Sequence, residues 1–143
     1  MNRIVRVPGL ILTLALASCA THPIVGCASG AGESVMDLLY FGTATPDGVV
    51  SDVEWQAFLR DVVTPRFPDG LTTWTAAGQW RGADGEIVRE GSHVLQLMHA
   101  RDPAFERSIG TIAADYNARF RQEAVLRITT PVCMRMLTKD SIP

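Results

Sequence analysis

The sequence lacks the motifs that identify the most common enzyme classes. It has no glycine-rich phosphate loop, no nucleophile elbow and no H-E-x-x-H metal motif. His22, His93 and His99 do not form a cluster and only three cysteines are present, so neither a metal ion nor another cofactor is expected. The formal net charge of −2 argues against a nucleic-acid-binding protein, which presents a basic surface to phosphate groups.

Long apolar runs and internal repeats are missing as well. The longest apolar run near the start, residues 10–16, is far too short to span a bilayer as a permanent helix. With 143 residues, of which 47% are hydrophobic, the chain is large enough to bury the core of one compact domain.

The first residues have the composition of a targeting segment. Arg3 and Arg6 form a basic start, the apolar run follows, and Leu16-Ala17-Ser18-Cys19 resembles a bacterial lipobox. Residues 1–18 are therefore predicted to be a lipoprotein signal peptide, and Cys19 is predicted to carry acyl chains such as palmitate. The alternative is an ordinary secretory signal peptide that contains a cysteine.

A lipid-anchored chain would be held at a membrane. Each buried CH₂ of an acyl chain contributes ~0.8 kcal/mol, so several chains give stable anchoring. Ala20, next to Cys19, favours the periplasmic face of the outer membrane. We predict a flexible tether over residues 19–34, a single domain over 35–138 and a short tail over 139–143.

Two cysteines remain when Cys19 carries lipid. Cys27 and Cys133 would lie in an oxidising compartment, where two thiols often pair. A disulfide between them would close a loop of roughly a hundred residues. The alternative is two unpaired thiols, with Cys133 acting as a small buried hydrophobic residue.

Alternation and capping patterns predict a β-α-β-β-α-β order. Strands are expected at 35–43, 71–80, 87–99 and 125–134, and helices at 51–64 and 103–120. Ser51 and Glu54 form a capping box at the start of the first helix. The order predicts an α+β, ferredoxin-like fold, in which a four-stranded antiparallel sheet carries both helices on one face. Pro131 places the last strand at a sheet edge.

The second and third predicted strands, 71–80 and 87–99, are expected to form a hairpin through a two-residue type I′ turn at Asp84-Gly85. That register puts Gln79 opposite Glu90. The residues expected on the core face are Trp74, Trp80, His93, Leu95 and Leu97, and those expected on the open face are Thr73, Thr75, Gln79, Glu90, Ser92, Val94 and Gln96.

The predicted pair of Gln79 and Glu90 is the candidate site. A carboxylate beside an amide could act as a general base or hold a polar ligand. The residues that complete the candidate ligand site are Arg66, Asp69 and Gln96. The alternative is a plain cross-strand hydrogen bond on a solvated face, worth ~0.2–1 kcal/mol. Gln122 and Glu123 either join the site or cap the junction between the second helix and the last strand.

Several stretches resemble a family of small bacterial envelope lipoproteins of unknown function. They are Leu39-Tyr40-Phe41-Gly42, Trp55 to Phe58, residues 64–72 (TPRFPDGLT), Gly78-Gln79-Trp80-Arg81-Gly82 and residues 122–127 (QEAVLR). The resemblance covers about residues 36–136. It implies an envelope address and one shared domain, and it brings no catalytic residue, substrate or cofactor.

Two functions are consistent with these features. The first is a non-catalytic lipoprotein that binds a small ligand, a protein partner or a second copy of itself across the open sheet face. The second is an isomerase-like or proton-transfer enzyme, with Glu90 as general base, Gln79 orienting the substrate and Arg66 or Arg89 neutralising an acid group.

Overall fold

The computed structural model describes residues 26–139. The predicted signal peptide and Cys19 therefore lie outside the described residues. The elements are β1 (Gly32–Gly42), β2 (Ala44–Thr45), β3 (Gly48–Val49), α1 (Asp52–Phe58) with a following π-helical turn (Leu59–Val63), β4 (Thr72–Arg81), β5 (Ile87–His99), α2 (Pro103–Phe120) and β6 (Leu126–Met134).

Four strands form one antiparallel sheet in the order β4-β5-β1-β6. The predicted mixed fold, a four-stranded antiparallel sheet with two helices, is confirmed. β6 is an edge strand, which explains how Pro131 is tolerated despite its missing N–H group. The short strands β2 and β3 form a small hairpin beyond the end of β1, which the sequence patterns did not predict.

Both helices pack against the same face of the sheet. The buried core cluster combines strand residues Leu39, Phe41, Leu95 and Leu97 with Val50, Trp55, Phe58, Leu59, Val63, Phe67, Ile109, Ile112, Tyr116 and Phe120. His93 belongs to this face and stacks on Trp55 at a ring-centroid distance of 4.6 Å. Neither helix within residues 26–139 has the length and apolar composition needed to cross a bilayer.

The ends of the helices follow the predicted caps. The Ser51 hydroxyl accepts a hydrogen bond from the Glu54 amide at 3.3 Å, and the Ser51 amide donates to the Glu54 carboxylate at 2.9 Å. The Asp102 carboxylate caps α2 by accepting from the Ala104 amide at 2.7 Å. These local contacts fix where both helices begin.

The turn between β4 and β5 differs from the prediction. The Gly82 amide donates to the Glu86 carbonyl at 2.9 Å, and the Gly85 amide donates to the Gly82 carbonyl at 3.0 Å. Residues 83–85 thus form a three-residue loop, in which Gly85 has a φ of 88°. Three-residue loops that end in a residue with positive φ are a common alternative to the two-residue turn.

The longer loop shifts the strand register by one residue. Gly78 lies opposite Glu90, and Gln79 lies opposite Arg89. A shift of one residue moves every side chain of a strand to the other face. Trp74 and Trp80 therefore lie on the open face, contrary to the prediction.

The same shift reverses the predicted face of the other residues of β4. Thr73, Thr75 and Gln79 share the face of His93 and Leu95, so their predicted place on the open face is wrong. The assignments on β5 are right, because Glu90, Ser92, Val94 and Gln96 do lie on the open face. Only the strand that precedes the turn is displaced.

The domain begins earlier than its predicted boundary at residue 35. β1 starts at Gly32 because residues 32–34 pair with the end of β6. A disulfide between Cys27 and Cys133, with a Cα–Cα distance of 5.4 Å, joins the preceding segment to β6. The predicted disulfide is thus present, and it brings part of the predicted tether into the domain.

Replacing both Cys27 and Cys133 by serine is expected to lower the free energy of unfolding. The disulfide closes a loop with a sequence separation of 106 residues, for which the loss of chain entropy in the unfolded state amounts to about 4.7 kcal/mol at most. Urea denaturation of the oxidised protein and the double variant measures the difference. A difference below about 1 kcal/mol, or an equal response of both proteins to dithiothreitol, would contradict this account.

Candidate functional site

A groove of about 550 Å³ lies at one end of the open sheet face. Its middle is formed by β1 and β5, which contribute Tyr40, Gly42, Glu90 and Ser92. Residues 76–80 of β4 line one side, and residues 122–126 line the other. We call this feature the open-face groove. Its volume lies within the range of small-molecule sites.

Small residues create the space in the groove. Ala76 and Gly78 lie on the open face of β4, between the larger Trp74 and Trp80. A Cβ atom added at Gly78 would meet no atom within 4 Å. A side chain at this position would therefore extend into the groove and would not clash with the protein.

The carboxylate of Glu90 is the best-defined polar group in the open-face groove. Its Oε1 atom accepts a hydrogen bond from the Trp80 indole N–H at 2.9 Å, and its Oε2 atom accepts one from the Ala44 amide at 2.8 Å. Gly42 makes this position possible, because a Cβ atom there would lie 2.7 Å from Oε1. Two donors from different strands thus fix the orientation of the carboxylate.

The backbone next to Glu90 is held by residues from α2 and the segment that follows it. The Tyr116 hydroxyl donates to the Gly42 carbonyl at 2.9 Å, and the Gln122 side-chain amide donates to the Ala44 carbonyl at 2.5 Å. Burial raises the pKa of Tyr116 far above its ordinary value, with smaller contributions from Glu90 and Glu54. Tyr116 therefore stays a neutral hydrogen-bond donor.

The charge in the groove has one sign. Glu90 and Glu123 are its charged lining residues, and no lysine, arginine or histidine of residues 26–139 lines it. Arg89, which lies beside Glu90 in the sequence, is on the opposite face of β5. The uncharged lining combines the polar residues Gln79, Ser92 and Gln122 with aromatic and aliphatic residues, of which Tyr40, Trp80 and Leu126 are the largest.

Three of the stretches that carry the family resemblance meet at this groove. Residues 39–42 end β1, residues 78–82 end β4, and residues 122–127 lead into β6. The stretch 64–72 precedes β4 and lies at the opposite end of the sheet. The antiparallel arrangement explains this separation, because the start and end of β4 are at opposite ends.

Comparison with protein families gives one match. A family model described as "Protein of unknown function (DUF3574)" matches residues 36–136. The chain belongs to this family. The matched residues coincide with the range of the predicted resemblance, and the unknown function agrees with it. No curated protein matches the sequence.

Solved structures resemble the domain at low sequence identity. A phage SAM lyase in complex with S-methyl-5'-thioadenosine has a TM-score of 0.55 and 12% identity, covering 79% of this chain and 95% of the lyase. The apo state of a phage SAM lyase has a TM-score of 0.53 and 14% identity, covering 88% and 91%. CutA from Synechococcus elongatus PCC7942 has a TM-score of 0.47 and 10% identity, covering 71% and 78%. The two lyase structures show that the fold is shared.

Glu90, the predicted general base, lies in the open-face groove. Gln79 lines the groove too, but the observed register separates its side chain from that of Glu90. The predicted pair of Gln79 and Glu90 is therefore wrong, because the three-residue loop places the two on opposite faces.

The other predicted ligand residues lie elsewhere. Arg66 donates to the Val62 carbonyl at 2.6 Å and lies 3.8 Å from Asp115 of α2. Asp69 is exposed in the segment before β4, and Gln96 lies on the open face outside the groove lining. The structure does not bring these three residues to Glu90.

A second polar cluster, centred on Asp37, was missed by the sequence analysis. Asp37 is fully buried on the helix side of β1. Its carboxylate accepts hydrogen bonds from Arg127 at 2.7 and 2.8 Å, from His99 at 2.8 Å and from Thr129 at 2.5 Å. Arg127 also donates to Glu106 of α2 at 2.7 and 2.9 Å. The cluster joins both edges of β1 to α2.

The hydrogen bonds determine the charge of Asp37. Burial by itself would raise the pKa of this carboxyl group, but the hydrogen bonds from Arg127, His99 and Thr129 outweigh burial and hold the pKa below its ordinary value. The ring nitrogens of His99 face the Asp37 carboxylate and the Ala100 carbonyl, at 2.8 and 2.7 Å. Each ring nitrogen thus lies within hydrogen-bond distance of an oxygen acceptor.

One signal in the sequence could have revealed the cluster. Asp37 has the same parity in β1 as the core residues Val35, Leu39 and Phe41. A charged residue at a core position needs a partner of opposite charge. Arg127 pairs with Leu39 across β1 and β6 and supplies that charge. Asp37 was not predicted because the predicted site was on the open face, whereas Asp37 lies on the helix side.

Replacing Asp37 by asparagine is expected to destabilise the protein by about 3 kcal/mol, because it leaves buried partners without their counter-charge. The pKa of Asp37 is depressed on folding, so its contribution is present above its ordinary value of 3.8 and is lost as the pH falls through the folded-state pKa. Urea denaturation between pH 7 and pH 3 measures both effects.

Asp61→Asn is the matched control for this prediction. Asp61 forms an exposed ion pair with Arg60, so its loss should change stability by less than about 0.5 kcal/mol. If the stability of Asp37→Asn depends on pH below pH 4 in the same way as that of the wild type, Asp37 is not the cause of this pH dependence.

Proposed function

We propose that this protein is a lipid-anchored binding module of the bacterial envelope, in which the open-face groove holds a small ligand. The observation that carries the proposal is a concave site of about 550 Å³ with a fixed carboxylate and with no lysine, arginine or histidine of residues 26–139 in the lining. Concave, mostly apolar sites with a few oriented polar groups are the usual form of ligand-binding pockets.

The proposal includes a ferredoxin-like architecture for the domain. It is supported by the strand order β4-β5-β1-β6, with the last strand at an edge, and by the position of both helices on one face. Such an arrangement leaves the other face of the sheet free for binding. The open-face groove lies on that free face.

An enzyme with Glu90 as general base is the alternative function. Gln79, the residue assigned to orient its substrate, has its side chain on the other face. The geometry therefore supports a binding role better than proton transfer. Loss of a proton-transfer activity in a folded Glu90→Gln variant would instead identify an enzyme.

The lipid anchor is proposed from Cys19 and its preceding residues. Cells that express the full chain and are fed radioactive palmitate should incorporate label into the protein. A Cys19→Ser variant should lose the label and leave the membrane fraction, since it retains no acylated residue. Equal membrane association of both proteins would rule out anchoring through Cys19, and fractionation of the two membranes checks the proposed outer-membrane location.

Filling the groove should abolish ligand binding without unfolding the protein. We expect that a mixed set of small neutral, cationic and anionic aromatic compounds contains members that shift the ¹⁹F signal of fluorotryptophan at Trp80 and leave that of buried Trp55 unchanged. In Gly78→Val the valine side chain would occupy the groove, because nothing lies within 4 Å of its Cβ position. The variant should show at least a tenfold loss of affinity, or about 1.4 kcal/mol.

Gly32→Val is the matched control. Gly32 is the first residue of β1, and a Cβ atom added there would also meet no atom within 4 Å. It lies at the opposite end of β1 from the groove. It should bind like the wild type. Unchanged binding in Gly78→Val would place the ligand outside the groove.

Pairing with a second copy is a further candidate function of the open face. Beyond the groove this face exposes Trp74, Ile128 and Met134, with exposed fractions of 41%, 44% and 37%. Four strands of about eight residues present roughly 500 Å² of surface, which is comparable in size to the largest apolar patches of monomers, and such patches are often functional. A second copy is the candidate partner because a two-fold axis brings the same surface patch of both copies together.

Ile128→Glu should prevent such pairing by placing a charge at the centre of an apolar interface. Sedimentation equilibrium is expected to show a dimer for the wild type and a monomer for the variant. Val53→Glu serves as the control, because Val53 is 80% exposed on α1, on the helix side. A wild-type protein that stays monomeric at millimolar concentration would exclude the dimer.

A further inference from the structure

We infer that the open-face groove selects ligands that carry a protonated amine on an apolar, preferably aromatic, body. The inference rests on the proposed function, since it names the class of ligand for the same groove. It follows from the charge of Glu90, the position of Trp80 and the composition of the lining.

The charge of Glu90 is oriented but not neutralised. Its two hydrogen-bond donors, the Trp80 indole N–H and the Ala44 amide, are neutral groups, and each uses one acceptor position on a separate oxygen. Each carboxylate oxygen can accept a second hydrogen bond. An ammonium group offers three donors and a positive charge, so it can satisfy the remaining positions and compensate the charge.

Aromatic rings lie beside this carboxylate. The hydrogen bond from Trp80 to Glu90 fixes the indole ring next to the charge, and Tyr40 contributes a second aromatic side chain to the lining. An indole and a phenol ring present large apolar surfaces, which suit an aromatic ligand body. The carboxylate and the rings therefore suit the two ends of the same ligand.

The rest of the groove suits the apolar body of such a ligand. Ala76, Val125 and Leu126 line it, and Leu126 is 61% exposed without a ligand. Covering these side chains removes apolar surface from water, which favours binding by about 25 cal/mol per Å². An anionic ligand of the same shape would be repelled by Glu90 and by Glu123 at the rim.

Three probes of matched shape test the inference on the full chain labelled with 5-fluorotryptophan. They are 2-phenylethylammonium, 2-phenylethanol and 3-phenylpropionate, and the readout is the ¹⁹F shift of Trp80 during titration. The ammonium compound should bind at least about tenfold more tightly than the alcohol, because a charge-assisted hydrogen bond exceeds a neutral one by this amount. The carboxylate should cause no shift.

Glu90→Gln should reduce the preference for the ammonium compound over the alcohol to below about threefold, since the amide keeps the shape of the side chain and removes its charge. Glu86→Gln is the matched control: Glu86 is an exposed residue of the hairpin turn, outside the groove lining, and its change should leave the preference intact. An unchanged Trp55 signal confirms that each variant is folded.

The possible outcomes separate this inference from the proposed function. If the alcohol or the carboxylate shifts the Trp80 signal as strongly as the ammonium compound, the groove binds ligands but the inferred selectivity is wrong. If the preference persists in Glu90→Gln, the charge is not its cause and the inference is overturned. If no probe of any charge moves the Trp80 signal, both the inference and the proposed function fail.

Discussion

The hydrogen bond between the Gly82 amide and the Glu86 carbonyl fixes the point from which β4 and β5 pair. This contact determines that Gly78 faces Glu90 and that Trp80 reaches the same carboxylate from the neighbouring position on that face. With a two-residue turn the indole would lie on the helix side and the groove would lose one wall. The composition of the open face thus depends on one additional residue in a turn.

The carboxylates on the two faces of the sheet have different hydrogen-bond partners. On the helix side, Asp37 is fully buried, and Arg127, His99 and Thr129 occupy its acceptor positions. A buried carboxylate requires such partners, because desolvation is costly without them. On the open side, Glu90 has two neutral donors and remains half-buried beside a groove. The first arrangement stabilises the fold, and the second leaves Glu90 without a cationic side chain among the groove residues that the structure describes.

The structure places the predicted residue Glu90 in the open-face groove, with Gln122 and Glu123 also in the lining, but it does not bring Arg66, Asp69 or Gln96 there. Glu90 and Ser92 were placed correctly on the open face because β5 continues its alternation without interruption from the core residues Leu95 and Leu97. The predicted pairing of Glu90 with Gln79 was wrong because it depends on the register between β5 and β4, which alternation within one strand does not specify. Arg66 and Asp69 were predicted to complete the site, but both precede β4, whose start lies at the far end of the sheet from Glu90.

The sequence by itself determined the order of the main strands and helices, the caps of both helices and the edge position of the strand with Pro131. These features depend on periodicity and on residues close together in the chain. The sequence left the pairing of Cys27 with Cys133 open, and the tertiary structure decided it. The tertiary structure decided the face of Trp80, the contact between Trp80 and Glu90, the convergence of residues 39–42, 78–82 and 122–127, and the cluster around Asp37. Each of these joins residues that are distant in the chain or on different strands, so it depends on strand register and packing, which no local pattern encodes.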